Sequence, residues 1–247
     1  MKFKLISCEV LYREMCAVIA RSPNEVDVEF LPKGLHDIGS GSMRKRLQEA
    51  VDRADPQTYE AVLLGYALCG NGTAGLEARS LPIVIPRAHD CIALLMGSRD
   101  RYQKYFEQHS GVYFRSTGWI ERGEDLQQET LRIVRNKTGA GYTRDELVVR
   151  YGEENGQYLY DELNAYQNTY RQLTYIATGL EPDGRFERQA RDEAASKGWQ
   201  YEKIEGNLSL FERLLAGDWS EEDFLIVPPG WRVTATYGSG ILDKEPS

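Results

Sequence analysis

At 247 residues, with 41% hydrophobic and 28% charged side chains, the chain has the composition of a globular protein with a substantial core, either one large α/β domain or two smaller lobes. A formal charge of −8 opposes nonspecific nucleic-acid binding, and the basic cluster Arg44-Lys45-Arg46 is too short to reverse it. No apolar run approaches the roughly 20 residues of a membrane span, so neither nucleic acid nor membrane is expected as a partner.

In chain order, Phe3 to Ile6 reads as a strand, Glu9 to Ala20 as a helix, Val26 to Leu31 as a second strand, and Ser42 to Ala54 as a second helix after the loop that carries His36. Tyr59 to Leu64 and Pro82 to Ile85 follow as the third and fourth strands, with Gly111 to Arg115 as a fifth. Strands separated by helical segments of this length imply parallel βαβ units in a doubly wound, Rossmann-like sheet. From Glu121 to Thr169 the composition turns polar and helical, in stretches Arg122 to Arg135 and Arg144 to Tyr170, as expected of a connector or lid. Alternation resumes with Leu173 to Ala177 (strand), Arg185 to Lys197 (helix), Gln200 to Ile204 (strand), Leu208 to Ala216 (helix) and Phe224 to Val227 (strand). The repeated order, and the Gly118-Trp119 and Gly230-Trp231 pairs that close each half, suggest two pseudo-repeated lobes. The expected division is 1–120 for the first α/β lobe, 121–170 for the helical insertion and 171–247 for the second lobe.

Three of the four cysteines fall where a buried strand ends: Cys8, Cys69 in Gly65-Tyr66-Ala67-Leu68-Cys69-Gly70, and Cys91 in Pro86-Arg87-Ala88-His89-Asp90-Cys91. His36 and His89 occupy similar places. The strand C-termini of an open parallel sheet share the edge where ligands bind, so these residues are expected to build one site. Thiolates and imidazoles select zinc, copper(I) or iron–sulfur clusters over hard cations. Cys8, Cys69, Cys91 and His89 are therefore the expected metal ligands, and zinc or a [4Fe–4S] cluster the expected cofactor. The competing explanation is that free cysteine packs as a small apolar side chain. Cys16, inside an amphipathic helix beside Met15 and Val18, fits that explanation and is set aside.

Leu5-Ile6-Ser7-Cys8 matches a lipoprotein cleavage site, but too few residues precede Cys8 for a signal with an apolar region of about 7–15 residues. A cytoplasmic location is expected, where thiols stay reduced and grouped cysteines favour metal or redox chemistry over disulfides.

Among the other groups, His36 and Asp90 are the expected catalytic residues, His36 as a proton carrier or further ligand and Asp90 as the carboxylate that orients its neighbours. Gly70, Asn71 and Gly72, in a glycine-rich turn read as leading into a helix, are candidates for holding a substrate or cofactor anion, and Arg87 could pair with a carboxylate or phosphate. His109 is expected in solvent. Tyr158, Tyr160, Tyr166 and Tyr170 are expected to pack between helices.

His89-Asp90-Cys91 with a distant cysteine resembles, in ligand set alone, the zinc site of thiol-activating methyltransferases, although there the distant cysteine follows the pair. Three cysteines without histidine resemble the arrangement of quinolinate synthase and the diphthamide radical enzymes, which draw one cysteine from each lobe. The run Leu64-Gly65-Tyr66-Ala67-Leu68-Cys69-Gly70, Pro86-Arg87-Ala88-His89-Asp90-Cys91-Ile92-Ala93-Leu94-Leu95-Met96-Gly97-Ser98 and Thr117-Gly118-Trp119 resembles a family of proteins of unknown function from anaerobic bacteria and methanogenic archaea, often encoded near corrinoid-dependent methyltransferases. That resemblance implies a link to anaerobic methyl-group or one-carbon metabolism. The resulting expectation is a metal-dependent enzyme acting on a small thiol or anionic substrate. Its rivals are a non-catalytic accessory that carries a metal or cofactor to a corrinoid methyltransferase, and a metal-free thiol enzyme with Cys91 as nucleophile.

Overall fold

The computed structural model describes residues 1–36, 39–109, 111–122, 143–164, 170–236 and 240–247. Three sheets organise them. The largest has the strand order β2 (Glu25–Leu31), β1 (Lys2–Cys8), β3 (Ala61–Gly65), β5 (Ile83–Pro86), β9 (Phe224–Val227). Its first four strands are parallel and β9 runs antiparallel to β5. The runs Ala61-Val62-Leu63-Leu64 and Ile83-Val84-Ile85 are buried throughout, as strands covered on both faces must be.

Helix α1 (Tyr12–Ile19) links β1 to β2, and α2 (Ser40–Asp52) carries the chain back across β1 to β3. Because both crossovers are right-handed and run in opposite directions, they lie on opposite faces of the sheet. The reversal opens a crevice between the C-terminal ends of β1 and β3, where such sheets bind ligands. The expectation of a doubly wound, Rossmann-like α/β fold is met.

A second, all-parallel sheet has the order β6 (Val112–Ser116), β7 (Gln172–Ala177), β8 (Gln200–Glu205). It packs on α8 (Arg185–Ser196) around Leu173, Tyr175, Phe186, Ala190 and Ala194. The third is antiparallel: β4 (Glu77–Ala78), β10 (Trp231–Ala235) and β11 (Leu242–Pro246).

The chain crosses between the sheets more often than the expected lobes allow. The strand at 112–116, read as part of the first lobe, pairs with β7, while the strand at 224–227, read as part of the second, returns to the edge of the first sheet. Helix α9 (Ser209–Ala216) follows it there, packing against α1, β3 and β5. The two Gly-Trp pairs do not correspond either: Trp119 lies in a short helix, α5 (Thr117–Glu121), and Trp231 opens β10. A hydrophobic strand pattern carries no record of its partner, which is why sheet membership differs. Of the expected insertion, the described part is a helix pair, α6 (Arg144–Tyr151) and α7 (Glu153–Asn164). The expected helix at 122–135 lies outside the described residues, apart from Arg122.

The two parallel sheets meet near their C-terminal ends. Gly118, just after β6, lies so close to Val10, just after β1, that an added Cβ would run into the Val10 carbonyl oxygen. Arg13 and Glu121 form a bidentate pair beside this contact, at 2.8 and 2.7 Å.

Candidate functional site

Cys8 is the last residue of β1, paired in register with Leu31 of β2, and is 2% exposed. Residues Lys33–His36 form a 3-10 turn after β2, which places the His36 Nε2 atom 3.7 Å from the Cys8 sulfur. His36 is thereby brought beside Cys8.

After β3 the chain continues through Tyr66 to Cys69, and after β5 through His89 to Cys91. Two backbone hydrogen bonds zip these loops together: Leu68 N–H donates to the Ala88 carbonyl at 3.0 Å, and Cys69 N–H to the His89 carbonyl at 2.9 Å. Cys69 and Asn71 have positive φ angles of 47° and 67°, with Gly70 at 62° between them. Two non-glycine residues in left-handed backbone cost on the order of 1–3 kcal/mol each, a strain that accumulates at ligand-binding turns.

Cys91 is the first residue of α3 (Cys91–Met96). The Asp90 carboxylate caps that helix, accepting from Ile92 N–H at 3.0 Å and Ala93 N–H at 3.1 Å, and its other oxygen accepts from the Tyr102 hydroxyl at 3.1 Å. From the second sheet's side, the Trp119 indole N–H donates to the Cys91 sulfur at 3.3 Å. The same indole lies 6.4 Å from the His36 ring, and the Lys33 ammonium sits 4.6 Å over it.

Burial is the main influence on all three thiols. Burial pushes Cys8 up to about 11 and Cys69 up to about 12, and raises Cys91 well above its ordinary value. For Cys91 the Asp90 carboxylate, Cys69 and Cys8 add to that effect, in that order. Tyr66 is 1% exposed, and its hydroxyl is raised by burial and then by Cys8 and Cys69, with the Cys8 thiol as its hydrogen-bonding neighbour. All three sulfurs are free of disulfides. Among the described residues, no group of three His, Cys, Asp or Glu side chains stands close enough together to hold a metal ion.

The other predicted residues fall elsewhere. His89 lines a cleft of about 890 Å³ with Leu68, Asn71, Tyr102, Phe106 and Thr236, and none of Cys8, Cys69 and Cys91 is among its lining residues. The Arg87 guanidinium, expected to hold an anion, gives its hydrogen bonds to backbone carbonyls: Phe224 at 3.3 Å, Gly240 at 3.1 Å and Leu242. It fastens the C-terminal strands to the β5 loop. The glycine-rich turn does not open a helix as read; it leads to β4, so no helix N-terminus backs an anion there. Gly70 is open to its surroundings, Asn71 lines the cleft, and Gly72 lies tight against the Met43 side chain. His109 stacks on Tyr105 at 4.2 Å. Tyr158 is exposed rather than packed between helices, and Tyr170 packs on Tyr113 and Trp199; Tyr166 lies outside the described residues.

Tyr66 and Trp119 escaped the sequence reading. Tyr66, between β3 and Cys69, gave no signal of its burial beside Cys8. Trp119 gave no signal, because nothing in the sequence says that the second sheet's edge turns towards the first.

Fold and edge together define an α/β protein with a doubly wound, mostly parallel sheet, with Cys8, His36 and Tyr66 near the C-terminal ends of β1 and β3. The chain belongs to the family described as "Protein of unknown function (DUF1638)", whose model matches residues 30–215. The match includes His36, Tyr66, Cys69, His89, Cys91 and Trp119; Cys8 precedes it. No curated protein and no solved structure matches the chain.

Proposed function

We propose that Cys8, Cys69 and Cys91 hold a soft metal centre, zinc or an iron–sulfur cluster, in the crevice between β1 and β3. The observation that carries this reading is positional: Cys8 ends β1, while Cys69 and Cys91 lie in the two loops that follow β3 and β5 and are zipped together by the Cys69–His89 backbone hydrogen bond. Buried thiols near 11 and 12 are protonated and unreactive at neutral pH, so a bare-thiol nucleophile has little support. A cation reverses that balance by binding the thiolate form and displacing the proton. The imidazole of His36, 3.7 Å from Cys8, is the nearest nitrogen donor and the first candidate to take up a displaced proton.

The adjoining cleft suits a small organic substrate, since its roughly 890 Å³ lies within the usual range for ligand pockets. His89 in its wall is placed for proton transfer or hydrogen bonding to that substrate, and Asp90 positions Cys91 by capping α3. The centre would activate a thiol or an anionic group as a Lewis acid. We place this chemistry in a reducing, cytoplasmic setting and connect it to anaerobic methyl-group metabolism, with a corrinoid methyltransferase as the proposed partner system.

The test is metal analysis, with an absorption spectrum, of protein purified without oxygen. Stoichiometric zinc, or iron with a brown chromophore, supports the reading. Protein that carries neither, and takes up neither when supplied with zinc or with iron and sulfide, removes it. Retention of metal with no turnover of any thiol or methyl donor, together with a stable methyltransferase partner, would favour the accessory role.

A further inference from the structure

The cleft that His89 lines is built without the thiols, from separate stretches of chain. The turn after β3 supplies Leu68 and Asn71, the loop after β5 supplies His89, and the end of β10 supplies Ala235 and Thr236. The remaining wall is helix α4 (Arg99–Gln108), in which no residue is buried. Arg99, Tyr102, Gln103 and Phe106 recur at the spacing of one helix face, and all four line the cleft. Phe106 is 52% exposed although it is large and apolar, and its ring centre lies 5.8 Å from that of Tyr102. Two neighbouring rings in a cavity wall, one of them uncovered, offer a surface for a flat apolar group.

Charge is laid out unevenly along this face. Arg99 stands at one end with its side chain 24% exposed. Arg87 is held below its ordinary value chiefly by burial and, against an opposing pull from Asp243, by Arg99, which puts a second guanidinium near that end. Asp100, 3.7 Å from Arg99, is 70% exposed, so its charge is largely spent on solvent. Glu107 stands eight residues further on, about 12 Å along the helix axis, and accepts from the Gln103 amide at 2.9 Å. The exposed His89 adds an imidazole to the wall.

We propose that the cleft binds a flat organic anion, an aromatic or conjugated carboxylate, with its anionic group against Arg99 and His89 and its planar part on Phe106 and Tyr102. The proposal rests on the reading of the cleft as a ligand site and not on the metal, since no thiol lines it. A guanidinium offers a carboxylate a bidentate, charge-assisted contact. A neutral molecule of the same shape keeps the stacking and loses that contact.

The experiment is calorimetric titration of the full chain, its metal content measured in the same sample, with 2-naphthoate, 2-naphthamide and 2-naphthamidine, which share one ring system and carry a negative, a neutral and a positive group. The expected result is 2-naphthoate binding about tenfold or more tightly than either of the others, as one charge-assisted contact implies. Arg99→Gln should abolish that advantage and leave 2-naphthamide binding unchanged. Phe106→Ala should weaken 2-naphthoate and 2-naphthamide alike, by roughly twofold to tenfold. Neither position is buried, and unchanged melting temperatures check that both variants fold. Equal affinity for the three probes overturns the anion assignment while leaving the cleft as a ligand site. Tightest binding of 2-naphthamidine overturns it in favour of a cation, and a 2-naphthoate preference that survives Arg99→Gln overturns the placement of the anionic group. Binding of none of the three at millimolar concentration overturns the proposal together with the ligand reading of the cleft, and leaves the metal reading to the metal content.

Discussion

The protein has two parallel sheets whose C-terminal edges approach one another, and the edges are furnished in opposite ways. At the second sheet the polar groups are mostly spent on each other: Thr117 and the Tyr175 hydroxyl lie 2.7 Å apart, the Thr178 hydroxyl donates to Glu14 at 3.0 Å, and Thr178 N–H donates to Glu181 at 2.7 Å. At the first sheet Cys8 lies beside His36 and Tyr66, and Cys91 accepts from the Trp119 indole. One edge is closed by hydrogen bonds that join the sheets. The other holds the thiols for which we propose a metal. A strand end becomes a site only where its groups are left over after packing.

The largest effect expected from this contrast is on metal affinity. Cys69→Ser should weaken metal binding by more than the roughly 10–100-fold typical of losing an outer-shell contact, while Thr178→Val at the other edge should leave affinity unchanged and cost about 1 kcal/mol of stability. Metal titration and thermal unfolding of the two variants check both halves. Equal effects on metal binding would erase the distinction between the edges.

The seam between the sheets is next in size. Gly118→Ala puts a methyl group against the Val10 carbonyl, and overpacking of this kind costs typically about 1–3 kcal/mol. A lowered melting temperature together with altered Trp119 fluorescence is expected, because Trp119 is the residue after Gly118 and touches Cys91. An unchanged emission spectrum would mean that the seam does not set the Trp119 contact.

Thiol reactivity sharpens the comparison further. In metal-free protein, Cys8 at about 11 should alkylate at pH 7 roughly a hundredfold or more slowly than a free thiol near 8.5, with a rate that climbs as the pH approaches 11. Mass-spectrometric mapping of iodoacetamide adducts against pH reads this directly, and rapid labelling of Cys8 at neutral pH would contradict the burial argument.

The smallest effect lies in Glu14, whose carboxyl is buried and raised above its ordinary 4.5 chiefly by desolvation, with one oxygen unpartnered. The folded state therefore favours the protonated form. That contribution is complete below pH 4.5 and is lost as the pH rises through the folded-state value. Denaturation of wild type and Glu14→Gln as a function of pH should show wild type losing stability relative to the variant on going from acid to neutral pH. Parallel curves would show that Glu14 is not held protonated.

Much of this was legible in the chain. The strands were readable because Leu5-Ile6 and Val62-Leu63-Leu64 are runs that only a covered sheet explains, and the cysteines because each stands at the end of such a run. The edge assignment of Cys8, Cys69 and Cys91 followed from topology alone. The histidines were harder: both follow strands, but the turn at 33–36 brings His36 to Cys8, whereas the backbone zip at Cys69–His89 leaves the His89 ring facing the cleft. Arg87 was read for its charge, yet carbonyls of strands more than 130 residues later claim it, a contact at the |i−j| of 137 to 155 that no local pattern encodes. Tyr66 carries no signal in the sequence, because only the folded chain buries its hydroxyl beside Cys8.

The central claim is that three sulfurs from residues 8, 69 and 91 meet at one metal. X-ray absorption at the K-edge of the metal that co-purifies anaerobically counts those neighbours directly. The account predicts about three sulfur scatterers near 2.3 Å from the protein, falling by one in each of Cys8→Ser, Cys69→Ser and Cys91→Ser. A shell of oxygen and nitrogen only, or a sulfur count indifferent to all three substitutions, would contradict it.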